Sequence, residues 1–232
     1  MFTFKEFVVH QDKTAMKVGT DGVMLGAWAA IDPSDDNILD IGTGTALIAL
    51  MMAQRSGARV DAVEIDSSSA EQAQENVTAS KWSNLIEVHH ININDFDQNF
   101  RYDQIVCNPP YFSDSLLPPN SERAVARHTI NLSFDELIAA VERLISREGK
   151  FSLILPVQEL EAFEHCAKGK LFLWRKCYVR SRVGGDCKRI LGEYRLSQPE
   201  RVEIEDIAIR ESETNEYTAE YKELTKDFYL KF

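Results

Sequence analysis

No apolar run in this 232-residue chain approaches the roughly 20 residues that cross a bilayer, which excludes a helical membrane protein. Cysteine is scarce too. Cys107, Cys166, Cys177 and Cys187 form no CxxC pair, so they read as reduced, structural thiols and no metal is expected. A zinc site built from His165, Cys166, Cys177 and Cys187 would need spacings that fit no common finger. Positive charge is also short: 26 Lys and Arg against 37 Asp and Glu leave a formal net charge of −11. Such a balance excludes a protein that coats nucleic acid nonspecifically. The stretch from Met1 to His10 carries charges and aromatics and lacks the apolar core of a signal peptide. A cytoplasmic protein with no membrane contact and no stable protein partner is the expectation.

What the sequence does contain is strand and helix in alternation. Seven short β-rich runs are predicted as strands: Asn37–Ile41, Arg59–Ile65, Leu85–Ile91, Tyr102–Cys107, Lys150–Leu155, Phe172–Val179 and Arg189–Leu196. Helices are predicted over Ala46–Gln54, Ser67–Ser80, Ser133–Arg147 and Glu159–Ala167. The third opens on a Ser133/Glu136 capping box and ends toward Gly149. Lys17–Trp28 reads as an amphipathic helix. Tyr217–Phe228 reads as a C-terminal helix, because Tyr217, Tyr221, Leu224 and Phe228 recur at helical spacing. Alternation of this kind predicts an α/β, Rossmann-like, doubly wound seven-stranded sheet, mostly parallel. The last two strands lack a helix between them and should form an antiparallel edge hairpin around Val183–Asp186. One domain over 1–232 is expected, with an N-terminal extension over about 1–35 and the C-terminal helix over about 216–230.

The basic residues are unevenly spread. From His165 to Arg195 nine basic side chains stand against two acidic ones. Lys168, Arg175, Arg180, Arg182, Lys188 and Arg189 are therefore candidates for a phosphate-binding face. Pairing with acidic neighbours is the competing reading.

Three acids end three successive predicted strands. Asp40 precedes Gly42-Thr43-Gly44-Thr45, a turn in which glycine lets the backbone approach a ligand closely. Glu64 follows Gly44 by twenty residues, the distance one helix and one strand require, and can accept both hydroxyls of a ribose. Asp95 can accept an adenine amine. Leu47 stands where a dinucleotide fold would place a third glycine, which disfavours an NAD oxidoreductase.

Asn108-Pro109-Pro110-Tyr111 follows the fourth strand. Two prolines fix φ and remove two backbone donors, so the turn is rigid. The Asn108 side chain and a main-chain carbonyl become preset acceptors for the two hydrogens of a planar amine. That grip turns the nitrogen lone pair toward an electrophile. Tyr111 offers a face for stacking, worth about 1–3 kcal/mol for a base.

These residues together resemble the class I S-adenosylmethionine-dependent amino-methyltransferases. Phe2–Lys5, Met16–Trp28, Tyr217–Tyr221 and Phe228-Tyr229 resemble the bacterial tRNA1(Val) adenine-37 N6-methyltransferases, over nearly the whole chain. The resemblance implies S-adenosylmethionine as methyl donor, tRNA as partner and adenine N6 as target. It implies that Gly42 and Gly44 lie under the cofactor, that Glu64 binds its ribose and Asp95 its adenine, and that Thr20 and Asp21 sit near its methionyl end. Asp40 and Asn108 belong to the same cofactor set. Asn108 and the Pro109 carbonyl would hold N6, beside Pro110, with Tyr111 stacked on the base. Arg123 and Arg127, in the following loop with Glu122 and His128, become tRNA phosphate candidates. Two other readings stay open: a protein-glutamine N5-methyltransferase acting on a translation factor, since that amide is equally planar, and a noncatalytic nucleotide- or RNA-binding module.

Overall fold

The computed structural model describes residues 1–109 and 132–231. Pro110, Tyr111, Glu122, Arg123, Arg127 and His128 lie outside the described residues.

A two-strand hairpin, β1 (Phe2–Thr3) and β2 (Val8–Val9), precedes α1 (Thr20–Trp28). Strands and helices then alternate: β3 (Asn37–Ile41), α2 (Leu47–Ser56), β4 (Arg59–Glu64), α3 (Ser67–Thr78), β5 (Ile86–His90) and β6 (Tyr102–Cys107). The second half holds α4 (Phe134–Leu144), β7 (Ile145–Pro156), α5 (Val157–Ala167), β8 (Phe172–Arg182), β9 (Cys187–Arg195), β10 (Glu203–Arg210) and α6 (Ala219–Thr225).

The sheet runs β10-β8-β9-β7-β6-β3-β4-β5. From β7 to β5 every pairing is parallel, and β9 is antiparallel to both β7 and β8. Chain order reverses between β3 and β6, so a crevice opens at the carboxyl ends of those strands. Alternate residues face opposite layers. Ile38, Val60 and Val106 pack under α1, α2 and α3, whereas Leu39, Ile105 and Leu153 pack under α4 and α5. The doubly wound α/β expectation holds.

Three details depart from it. The sheet has eight strands: β10 forms the edge, parallel to β8, so the hairpin is internal. No strand is expected at β10, where Glu203, Glu205 and Asp206 interrupt the apolar pattern; in the fold Glu205 meets Arg175 at 3.0 Å and Asp206 meets Arg180 at 2.9 Å. Second, α4 stops at Leu144, before Gly149, which lies inside β7. A Cβ at Gly149 would come within 2.8 Å of the Tyr102 carbonyl oxygen, so this glycine serves close strand approach rather than a helix end. Third, α1 is buried from Gly22 to Trp28 and is not amphipathic. Arg55 of α2 caps its end, donating to the carbonyls of Gly26 (2.9 Å) and Ala29 (2.8 Å).

The two termini meet. Phe4 stacks on Phe7 with ring centres 4.7 Å apart, and Tyr229 stacks on Phe4 at 6.0 Å. The Lys5 N–H donates to the Phe228 carbonyl at 2.8 Å. No helix of the described residues is long and apolar enough to cross a membrane.

Candidate active site

The turn after β3 shapes the crevice. Gly42 (φ +71°) and Gly44 (φ +59°) adopt left-handed backbone, and a Cβ on either would project into open space. The N–H groups of Gly42 and Thr43 donate to the Val63 carbonyl at 2.9 and 3.1 Å, which ties the turn to β4. Ala46 follows with φ +62°, fully buried, and starts α2.

Asp40 braces this turn from inside. Its Oδ2 accepts from the Thr43 hydroxyl at 2.6 Å and from the Ala49 N–H at 3.1 Å. Burial pushes its carboxyl up to about 7, against those two hydrogen bonds. Asp40 does not reach the crevice wall, so it acts as a support for the turn. Glu64 does line the crevice. Its two oxygens accept from the Gly44 N–H and the Asp66 N–H, both at 2.9 Å, which aims the carboxylate across the glycine turn. Asp66 is the N-cap of α3, accepting from the Ser69 N–H at 2.8 Å.

The crevice has two lobes. The larger, about 590 Å³, runs from the glycine turn and Glu64 past Ile65 to Asn92, Asn94 and Glu136. The smaller, about 340 Å³, lies between Thr43–Thr45 and the start of α1, including Thr20 and Asp21. Met16, Gly42, Gly44 and Asn108 border both. Asn108 stands just beyond β6, and Pro109 lines the larger lobe. Cys107 also touches it, but burial raises its thiol well above the usual range, so it is a packing group and not a nucleophile.

Sequence reasoning missed one wall. Residues 10–16 cross the larger lobe as a strap, and Lys13–Met16 line it. Two buried amides of α3 hold the strap. Gln72 accepts from the N–H groups of Asp12 and Lys13 at 3.0 and 3.1 Å. Asn76 accepts from the His10 N–H and donates to the His10 carbonyl, both at 2.8 Å, and also donates to Thr45 at 2.9 Å. The signal was a pair of amides one helical turn apart on α3.

Asp95 is exposed and does not line the crevice, whereas Asn92, Ile93 and Asn94 do. Asn94 donates to Glu136 at 3.2 Å, joining the β5–β6 loop to the first turn of α4. Hydrogen bonds from the Ser133 side chain and backbone hold the Glu136 carboxyl low.

The basic segment divides. Arg175 lies mid-strand with its guanidinium 3.9 Å from the Trp28 ring centre, ion-paired to Glu205. Arg180 forks onto Asp206, and Arg182 donates to Glu211, Thr214 and Asn215. Lys168 follows α5 at the end of the sheet away from the crevice, since β8 begins there, paired with the end of β9. Lys188 and Arg189 are at the crevice end, where Arg189 pairs with Pro156 of β7. Arg189 donates to Asp21 at 2.8 Å. Most of these cations are thus matched to acids or carbonyls within the fold, the competing reading of the segment.

Residues 24–154 match the family model described as Methyltransferase small domain. Over 230 residues the chain is 48% identical to the tRNA1(Val) (adenine(37)-N6)-methyltransferase of Phocaeicola vulgatus, covering 99% of this chain and 97% of that protein. Proteins of the same name from Flavobacterium psychrophilum and Trichodesmium erythraeum are 43% and 44% identical, over 100% of this chain and 100% and 98% of theirs. Among solved structures, a predicted O-methyltransferase from Agrobacterium tumefaciens superposes with a TM-score of 0.69 at 17% identity, over 90% of this chain and 96% of that one. At that identity the likeness concerns the fold.

Proposed function

The chain belongs to the family of tRNA1(Val) (adenine(37)-N6)-methyltransferases, and from that premise we propose how its crevice serves methyl transfer to N6 of an adenine in tRNA. The observation that carries the reading is the position of Asn108 on the border of both lobes. S-adenosylmethionine is a nucleoside joined to an amino acid through a sulfonium. The reactive carbon therefore belongs where a nucleoside lobe and an amino-acid lobe meet.

The residues fit the cofactor. Side chains at Gly42 and Gly44 would fill the crevice, and Glu64 presents a carboxylate aimed by two backbone donors. Glu64 would hold the ribose, Asn92 and Asn94 the adenine edge, and Thr20 with Asp21 the methionyl end. When bound, S-adenosylmethionine supplies a methyl group already activated by its sulfonium. Asn108 and the Pro109 carbonyl accept the two N6 hydrogens, and their fixed geometry turns the lone pair toward the border of the lobes. Orientation supplies much of the acceleration, so no side chain need act as a strong base. Pro110 and Tyr111 complete the tetrapeptide, Tyr111 by stacking on the base. Adenine 37 of tRNA1(Val) is the target the relatives' names support, and work on tRNA puts the protein in the cytoplasm.

The test is Asn108→Ala. Methyl transfer to tRNA should fall at least about 100-fold, as for loss of a group that binds the transition state. S-adenosylmethionine affinity in calorimetry should stay within a few-fold of wild type. Retained activity would sink the assignment of Asn108. Loss of N6-methyladenosine from one tRNA in cells lacking the gene, read by nucleoside mass spectrometry, identifies the substrate.

A further inference from the structure

We infer that Lys17 binds the α-carboxylate of the cofactor's amino-acid end, an assignment that rests on the methyltransferase reading. The smaller lobe is bordered by few charges. Asp21 supplies a carboxylate at the start of α1, and Lys17 supplies a cation. Lys17 has neither a hydrogen-bond nor an ion-pair partner among the described residues. Its neighbour along the strap differs: Lys13 is held by Glu71 at 2.7 Å and Glu75 at 2.8 Å. Arg175 and Arg180 of β8 are likewise engaged, and Arg189 of β9 is held by Asp21 itself.

An α-amino acid carries one carboxylate and one ammonium. The lobe offers one cation and one carboxylate, Lys17 two residues before the N-cap of α1 and Asp21 in its first turn. Charge-assisted hydrogen bonds of this kind are shorter and stronger than neutral ones. The backbone fixes where Lys17 stands. The Val18 N–H donates to the Gln11 side chain at 2.8 Å, so the strap is folded on itself at this point. Gly19 follows as N-cap of α1 and offers no side-chain acceptor to its first turn. A carboxylate in the lobe would meet the Lys17 ammonium there.

A nucleoside thioether that lacks the amino acid separates this role from others. Calorimetry would compare S-adenosylhomocysteine with 5′-methylthioadenosine on the full chain, wild type and Lys17→Met. The carboxylate role predicts a roughly tenfold loss of S-adenosylhomocysteine affinity with 5′-methylthioadenosine unchanged, and near-complete recovery in Lys17→Arg. Equal loss for both ligands would overturn it, because the change would then be structural. Unchanged S-adenosylhomocysteine binding with weaker tRNA binding would also overturn it and make Lys17 a phosphate contact. If the wild type bound neither nucleoside, the methyltransferase reading itself would fail, an outcome distinct from a failure confined to the variant.

Discussion

Two buried carboxylates respond to pH in opposite senses. Asp40 has its pKa raised from 3.8 to about 7, first by burial, so the unfolded chain gives up its proton before the native state does. Its contribution to stability is present below pH 3.8 and is lost as pH rises through about 7. Asp61 is the reverse. Burial would raise its pKa, but His89 Nε2 at 2.8 Å, the Tyr102 hydroxyl at 2.7 Å and the Arg59 charge together lower it. Its contribution is present above pH 3.8 and is lost as pH falls through its lowered folded value. Calorimetric melts should separate them. Asp40→Asn should gain on wild type between pH 5 and pH 8. Asp61→Asn should be destabilised at pH 6, with the gap narrowing below pH 4. A constant Asp40→Asn difference across pH 5–8 would mean that Asp40 does not titrate there.

At the scale of elements, the strap is the part to test. Asn76 is 1% exposed and serves three backbone groups, two on His10 and one on Thr45. Asn76→Ala removes a partner of the buried Thr45 carbonyl and cuts both ties to His10, at a cost of about 2 kcal/mol. Urea unfolding should show that loss. Calorimetry should show weaker binding of S-adenosylmethionine, because Lys13–Met16 line the larger lobe. Lost stability with unchanged affinity would mean that the ligand does not use this wall. The sequence made the parallel core legible because its strands are short apolar runs punctuated by glycine and acid. Gly42, Gly44 and Glu64 were legible for the same reason: a turn and a strand end have local signatures. The strap was not, since Gln72 and Asn76 look like any polar helix residues until their partners 60 and 66 residues away are in place. β10 was hidden by Glu203, Glu205 and Asp206, which resemble solvated tail and become strand only beside the cations of β8.

Over the whole molecule, charge position matters more than charge count. The net charge of −11 repels RNA at a distance, so binding depends on cations that face the crevice and are not already neutralised. The sheet has two ends. The glycine turn, Asn108, Lys188 and Arg189 share one, and Lys168 and Lys170 occupy the other, where α5 returns before β8 begins. Lys188 is exposed, and among the described residues its one ion pair is with Asp186 at 3.7 Å, too long and too solvated to hold it. Each phosphate contact contributes roughly one unit to the slope of log affinity against log salt. Lys188→Gln should therefore lower that slope by about one for tRNA. The double variant Lys168→Gln/Lys170→Gln should leave both slope and affinity unchanged, although it removes twice the charge. Filter binding at several salt concentrations reads both. If the double variant lost as much slope as Lys188→Gln or more, tRNA would be bound through the far end of the sheet. A target base in the crevice would then require the RNA to wrap the edge formed by β10.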